Sequence, residues 1–292
     1  MFFFLAIIRY TYHMIDFLHT NIPNSIFISI GPINIYYYGI LIVIGILLGI
    51  FISVKLANYY NIAKDTIIDS AFYLIIFGLL GGRIYHILLE LPYYAQNPLN
   101  IFKIWQGGLA IHGGIIAGVI TTYYFAKKNR LNPIILASIY APALALAQAI
   151  GRWGNYFNQE LFGTPTNLPW GIPIQNAHKI SAFSEFDFFH PTFLYESIGN
   201  FIIFLILIYA HYYFLSKKKI NFNYIIVLLY LILYSILRFS LEFIRIDQTP
   251  ELLGLRTPQI ASIIIVSICI LYFWISMQRK KIAKISCQRS CK

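Results

Sequence analysis

Apolar runs of about 20 residues leave this chain little choice of architecture, because an α-helix rises about 1.5 Å per residue and the hydrocarbon layer of a bilayer is roughly 30 Å thick. Such runs cover 35–56, 67–89, 108–126, 134–151, 193–215, 222–241 and 257–277. Inside lipid every backbone N–H and C=O must be satisfied within its own helix or a closed barrel, and no strand pattern competes with the helical runs. The expected fold class is therefore all-α, a polytopic membrane protein with seven transmembrane helices. Composition points the same way. Of the residues, 59% are hydrophobic and 11% charged, whereas soluble domains carry about 25% charged residues to cover themselves in water. The fourth run is short, which puts its polar end at or just inside the membrane interface.

Orientation follows from the basic residues. One set of connections and the tail hold Lys55, Lys64, Lys127, Lys128, Arg130, Lys217, Lys218, Lys219 and the basic residues from Arg279 to Lys292. The other side holds Arg9, Lys103, Arg152, Lys179, Arg238, Arg245 and Arg256, with Arg83 inside the second run. The positive-inside rule then places the N-terminus outside and the C-terminus in the cytoplasm. On this reading the net charge of +11 reflects topology and attraction to anionic lipid, and no nucleic-acid partner is expected. The expected organisation is an N-terminal extension over 1–30, a membrane domain over 31–278 with an extracytoplasmic cap at 152–192, and a basic cytoplasmic tail over 279–292. The opening "MFFFLAIIRYTYHMIDFLHTN" lacks a basic n-region and a small-residue cleavage site, so it makes a poor signal peptide and is too short to span. Translation from Met14 is an alternative start. Cys269, Cys287 and Cys291 lack the spacing of a disulfide framework or zinc ribbon and read as incidental thiols. No metal-binding H-E-x-x-H, carboxylate cluster, G-x-S-x-G elbow or phosphate-binding glycine loop with lysine is present, so neither a metal nor a cofactor is expected.

At the depth this topology assigns, the polar residues that interrupt the runs gather on the outer side. Tyr38 opens the first span, and His112, in "GGLAIHGG", opens the third. Arg152, Asn155, Asn158, Glu160 and Gly163 belong to "GRWGNYFNQELFG", after the fourth. "HPTFLYE", His190 to Glu196, opens the fifth, and Tyr234, Arg238, Glu242 and Arg245 in "YSILRFSLEFIR" close the sixth. Random placement would scatter such groups over both faces, so the clustering predicts one outward-facing, membrane-embedded site. Each group also has a plainer reading. Arg238, Glu242 and Arg245 at i, i+4 and i+7 can pair along one helix face. Arg152 can meet helix C-terminal carbonyls or snorkel. His112 among glycines can serve helix packing. The asparagines and Glu160 can satisfy the frayed end of the fourth helix. Arg83, His86 and Glu90 share a face of the second span, where an internal ion pair is expected for Arg83. Two converging arginines, however, offer forked guanidiniums suited to a phosphate monoanion.

In their order and spacing, "GRWGNYFNQELFG", "GGLAIHGG", "HPTFLYE" and "LRFSLEFIR" resemble the bacterial prolipoprotein diacylglyceryl transferases. The family signature GRxGNFxNxExxG is matched here with Tyr156 in the Phe position, and the resemblance covers about residues 31–276. It implies a seven-span inner-membrane enzyme with its site toward the outer leaflet. The implied reaction moves the diacylglyceryl group of phosphatidylglycerol to the lipobox cysteine thiol of a prolipoprotein signal peptide, giving a thioether and glycerol phosphate. By the same resemblance Arg152 and Arg238 are the phosphate-contacting arginines, His112 the candidate base, and Tyr38 and Tyr234 active-site tyrosines. Asn155, Asn158, Glu160, Gly163, Glu242 and Arg245 are implied to support or bind the lipid.

Elementary chemistry fits those roles. A cysteine thiol with pKa near 8.5 attacks carbon only as thiolate, so a base or a positive field must favour deprotonation. The leaving phosphate gains charge, which arginine donors stabilise best where water is scarce. Whether His112 or an arginine field activates the thiol, and how Arg152 and Arg238 divide their work, stay open at this level. A lipid carrier using the same arginines is the main rival; the lack of an inverted repeat weighs against it. A structural subunit would not need so many phosphate-compatible groups on one face, and an intramembrane protease would need a serine–base pair or carboxylate dyad that the sequence lacks.

Overall fold

The computed structural model of the chain describes residues 16–217 and 222–290. Arg9, Met14, Lys218, Lys219, Cys291 and Lys292 lie outside the described residues, and with them the question of the start. The helices are α1 (Tyr37–Ala57), α2 (Lys64–Leu89), the short α3 (Leu91–Gln96), α4 (Ile111–Lys128), α5 (Pro133–Phe157), α6 (Thr192–Ser216), α7 (Asn223–Leu241) and α8 (Thr257–Ser290). Among the described residues six helices are long and apolar enough to cross a membrane: α1 with the turn through Tyr60, α2, α5, α6, α7, and α8 through Ser276. The chain is thus a polytopic membrane protein. The expected third span does form a helix, α4, but stands outside that set. Its 18 residues include Gly113, Gly114, Gly118, His112, two threonines and the Lys127–Lys128 pair, which dilute its apolar character.

Several boundaries differ from the sequence reading. Helix α5 continues to Phe157, so Arg152 and Asn155 stand on its last turns, where the apolar run ends but helical geometry does not. Helix α8 likewise runs on to Ser290 through the stretch expected as a tail. The all-α expectation also needs correcting, because three antiparallel strand pairs occur: β1 (Ile26–Ile30) with β2 (Ile33–Tyr36), β3 (Ile172–Pro173) with β4 (Phe188–Phe189), and β5 (Glu251–Leu252) with β6 (Leu255–Arg256). These strands are too short to register against 20-residue helical runs. The Gly31–Pro32 turn between them, with Gly31 at φ +59°, is nevertheless a hairpin signal.

The described chain forms two compact units. One comprises the described parts of Met1–Leu47, Leu144–Ala210 and Leu228–Lys292. Under its cap lies an apolar core of Leu18, Tyr156, Phe162, Ile172, Ile174, Phe189, Phe193 and Leu194, and burial of each large side chain contributes about 1.5–3 kcal/mol. Residues 16–25, grouped by sequence with the extension, supply Leu18 to this core. They also supply His19, whose Nδ1 lies 2.7 Å from the Gly171 carbonyl and whose ring stacks on Phe188. Small residues bring the helices close: a Cβ on Gly45 would lie 3.3 Å from Ala147 Cα, and one on Gly199 would lie 2.5 Å from Leu237 Cδ1.

The other unit comprises Leu48–Ala143 and His211–Val227. In it α2 and α4 cross at Gly81 and Gly113, where a Cβ on either would collide with the carbonyl oxygen of the other. A polar knot joins four segments of this unit. The Tyr60 and Ser138 hydroxyls both donate to Asn223 Oδ1, at 2.7 and 2.9 Å, and buried His211 meets Tyr60 Oη at 3.2 Å and the Ser138 carbonyl at 2.9 Å. Each of the four side chains of this knot therefore has a partner.

Candidate functional site

The site is built around the C-terminal end of α5, which closes by reversing the backbone. Asn158 N–H bonds to Gly154 O, Gln159 N–H to Tyr156 O, and Glu160 N–H to Asn155 O. Gln159 takes the left-handed position of this turn at φ +51°, a place usually given to glycine. Its side chain explains the exception: Nε2 donates to the Pro23 carbonyl at 3.1 Å, and Oε1 accepts the Gln175 N–H at 2.8 Å. The same turn sets Arg152, Asn155 and Glu160 in line. Arg152 Nη1 donates to Asn155 Oδ1 at 3.3 Å and Asn155 Nδ2 donates to Glu160 Oε1 at 2.8 Å, with Asn158 Nδ2 3.5 Å from the same oxygen. Gly154 exists in this stretch because a Cβ there would strike the Tyr38 ring, and Tyr38 in turn has Glu160 and Arg152 as charged neighbours.

Buried carboxylates hold the arginines. Arg152 Nη2 lies 2.6 Å from Glu196 Oε1, Arg238 Nη2 2.9 Å from Glu242 Oε2, and Arg245 Nη1 3.7 Å from Glu196 Oε2. Arg245 Nε also pairs with Asp247 at 2.7 Å, and Arg256 Nη1 with Glu242 at 3.0 Å. Within these ion pairs four guanidiniums share three carboxylates, and the fourth carboxylate, Glu160, reaches Arg152 only through Asn155. Glu196 and Glu242 are sealed, at 2% and 0% side-chain exposure, while Arg152 and Arg238 stay partly open at 20% and 17%. Arg152 Nε and Arg238 Nη1 are buried and have no hydrogen-bond partner among the described residues. Tyr234 stands between these charges, with Glu196, Arg152 and Arg238 as its neighbours. Partly open guanidiniums with unpaired forked donors are the chemistry that a phosphate or other anion would engage.

The cap is stitched to this cluster by backbone. Gly163 pairs with Arg245 in an antiparallel bridge and gives its N–H to the His190 carbonyl at 2.9 Å, and the Thr164 N–H reaches the Ile244 carbonyl at 2.9 Å. A Cβ on Gly163 would lie 2.8 Å from Ile244 Cγ2 and 2.9 Å from His190 Cβ, so glycine is needed for the approach. His190 Nδ1 sits 3.1 Å from the Tyr195 hydroxyl, and burial holds the imidazole below the ordinary histidine range. Asp247 is pulled two ways: burial would raise its pKa, but the hydrogen bond and charge of Arg245, aided by Arg256, hold it below the usual carboxylate range.

Tyr38, Arg152, Asn155, Asn158, Glu160, Gly163, Tyr234, Arg238, Glu242 and Arg245 all belong to the first unit. The i, i+4 pairing of Arg238 with Glu242 is present, whereas Arg245 turns to Glu196 and Asp247. Glu196, Asp247 and Arg256 are further members of the cluster that sequence reasoning did not single out. Glu196 ends "HPTFLYE", a signal within reach; Asp247 and Arg256 sit in a loop with no periodicity to mark them.

His112 belongs to the second unit, where it is exposed and its ring tilts against Tyr85 with centroids 6.0 Å apart. Arg83, in the same unit, forms no ion pair with Glu90, which corrects the expectation for it. It instead gathers backbone carbonyls: Nε donates to Ile101 O at 2.9 Å, Nη1 to Gly107 O at 2.6 Å and Gly108 O at 3.0 Å, and Nη2 to Asn100 O. One guanidinium thus gathers four carbonyls of the segment at 100–108, of which the Asn100 oxygen also accepts the Lys103 N–H at 3.2 Å. Among the described residues no group of three or more His, Cys, Asp or Glu side chains is placed to hold a metal ion.

Comparison with known proteins adds an independent line. Residues 25–275 match the family described as prolipoprotein diacylglyceryl transferase. A phosphatidylglycerol–prolipoprotein diacylglyceryl transferase of Finegoldia magna is 47% identical over 238 residues, 82% of this chain and 90% of its own length. Proteins of the same name from Trichormus variabilis and Staphylococcus haemolyticus are 42% and 41% identical, covering 85% and 82% of this chain and 87% and 83% of theirs.

Proposed function

The chain belongs to the prolipoprotein diacylglyceryl transferases, a membrane enzyme with phosphatidylglycerol–prolipoprotein diacylglyceryl transferase activity, and we propose that the arginine cluster of the first unit is where it binds and breaks the lipid. The observation that carries this assignment is the pair Arg152 and Arg238. Each is backed by a sealed glutamate, each is partly open, and each keeps a buried N–H without a partner. The glutamates fix the guanidinium planes; the remaining donors are free for a phosphate diester.

The bond changes follow from the substrates that the relatives' name states. The lipobox cysteine Sγ attacks the glyceryl carbon that bears the phosphate ester oxygen. A C–S bond forms, the C–O bond breaks, and its electron pair leaves on glycerol phosphate. Arg152 and Arg238 meet the charge that grows on that oxygen, and they do so most effectively where water is scarce. Tyr234, between them, and Tyr38, beside Arg152 and Glu160, can donate to the same phosphate. Arg245 and Glu242 hold the pair in place, Gly163 admits the cap, and Asn155, Asn158 and Glu160 face the polar end of the lipid. The thiol proton passes to a base; the family motif alone assigns that part to His112, and the field of the arginines would lower the thiol pKa in the same direction.

The proposed topology has seven spans, with α4 as the third, the N-terminus outside and the active site toward the outer leaflet of the bacterial inner membrane. The excess of Lys and Arg on the alternate connections supports it. Purified full-length protein in detergent, given phosphatidylglycerol and a lipobox peptide, should add one diacylglyceryl unit to the peptide and release glycerol phosphate. Arg152→Ala and Arg238→Ala should each remove nearly all turnover, and Arg238→Lys should remain poor because a point charge does not replace a fork. Full turnover in both alanine variants would defeat the assignment, and lipid binding by an inactive wild type would favour a carrier.

A further inference from the structure

A cavity that includes Glu160 is linked to Arg152 through Asn155, and its chemistry differs from that of the arginine cluster. It has a volume of about 610 Å³ and is lined by Asn24, Asn158, Gln159, Glu160, Gln175 and His178, with Ser25 and few apolar groups. Three separate stretches build it: the segment before β1, the turn that closes α5, and the cap. Gln159 ties them together through its bonds to Pro23 and Gln175. No lysine or arginine lines it. The only fixed charge there is Glu160, and Arg152 lies one asparagine away along the Arg152–Asn155–Glu160 chain.

That arrangement selects among ligands. A phosphate would face the Glu160 carboxylate with no guanidinium in the cavity wall. An ammonium could donate to Glu160 and to amide oxygens, but it is opposed by Arg152 and, having no lone pair, leaves the amide N–H groups without an acceptor. A neutral polyol suits the lining: hydroxyls can donate to Glu160 and to amide oxygens and accept from amide nitrogens. Resting on the reading of the arginine cluster as the phosphate site, we propose that this cavity receives the glycerol end of the phosphatidylglycerol headgroup, with Asn24, Gln175 and His178 as specificity residues for its terminal hydroxyl. The chain Arg152–Asn155–Glu160 then sets the spacing between phosphate and glycerol.

The test separates binding from transfer. Native mass spectrometry of the full chain in detergent compares phosphatidylglycerol with phosphatidyl-propane-1,2-diol, which lacks only the terminal hydroxyl. Wild type should retain phosphatidylglycerol about 5-fold more strongly, the effect of losing one or two neutral hydrogen bonds. Gln175→Ala combined with His178→Ala should abolish that preference by weakening phosphatidylglycerol alone, and Asn24→Ala should narrow it. In the transfer assay the double variant should show a raised KM for phosphatidylglycerol, an unchanged KM for the diol lipid and an unchanged kcat. Equal retention of both lipids by wild type, or equal weakening of both in the variant, would overturn the cavity assignment even with transfer intact. Preserved headgroup preference without any transfer would instead count against the reaction assigned to the arginines. A stronger hold on phosphatidylethanolamine than on phosphatidylglycerol would overturn the polyol reading in favour of an ammonium site.

Discussion

Replacing Glu196 by Gln removes one negative charge from the centre of the cluster while keeping volume and an acceptor oxygen. Arg152 lies 2.6 Å from this carboxylate, whereas Arg245 lies 3.7 Å away and keeps Asp247 at 2.7 Å. Coulomb attraction falls as 1/r, so distance alone leaves the Arg245 pair about 0.7 of the strength of the Arg152 pair. The shorter contact is an ion pair without hydrogen-bond alignment, since Glu196 Oε1 has no hydrogen-bond partner among the described residues, so the advantage of Arg152 is electrostatic. A double-mutant cycle between Glu196→Gln and Arg152→Gln should therefore give a coupling about 1.4 times that between Glu196→Gln and Arg245→Gln, each on the order of 1 kcal/mol. Glu196→Ala, which strips Arg152 of its carboxylate while Arg245 keeps Asp247, should cost about 3–5 kcal/mol. Equilibrium unfolding in mixed micelles, followed by far-ultraviolet circular dichroism, reads all of these. Equal couplings for the two arginines, or none for either, would refute the view that Glu196 chiefly holds Arg152.

Three further outcomes follow from particular contacts. Gln159→Ala keeps the left-handed backbone cost and loses both side-chain bonds, while Gln159→Gly loses the bonds but sheds the strain, so the alanine variant should be less stable by about 1 kcal/mol; the reverse order in thermal melts would contradict this account of the turn. Gly113→Ala should destabilise by about 1–3 kcal/mol or more, because its methyl would meet the Gly81 carbonyl at the α2–α4 crossing, whereas Gly118→Ala, which has open space, should be tolerated in the same unfolding assay. For Asp247, whose folded pKa is depressed, the stabilisation is complete above the unfolded value near 4 and fades as pH falls through the lower folded value; Asp247→Asn should flatten the acid limb of a stability–pH curve, and an unchanged limb would deny the ion pair that role.

Much of this could be read from the residues, since lipid imposes simple rules. Long apolar runs announced the helices, and the polar groups of "GRWGNYFNQELFG" and "YSILRFSLEFIR" stood out because charge is rare among such neighbours. What stayed hidden depended on partners remote in sequence. Arg83 looked like half of an ion pair because Glu90 shares its helix face, yet backbone carbonyls of the segment at 100–108, remote from that face in sequence, claimed it. The end of α5 was placed early because polarity and helicity end at different residues there: Arg152 and Asn155 stop the apolar run while the backbone winds on to Phe157. Arg256 had no pattern around it, and its place beside Glu242 comes from the return of the loop after α7. The hairpin at 26–36 was legible through Gly31 and Pro32 but was outweighed by the apolar runs beside it.

The two bonds made by Gln159 also set an order of events in biosynthesis. Its partners lie 136 residues upstream, at Pro23, and 16 residues downstream, at Gln175, and His19 likewise reaches Gly171 across 152 residues. Segments so far apart pay a large loop-closure entropy before they gain contact energy. The amino-terminal segment can therefore make these long-range contacts only once the ribosome has delivered residues 159–175, well after the early helices have been synthesised. A nascent chain halted before Gln175 would hold its early helices while the turn at Gln159 still lacked one of its two anchors.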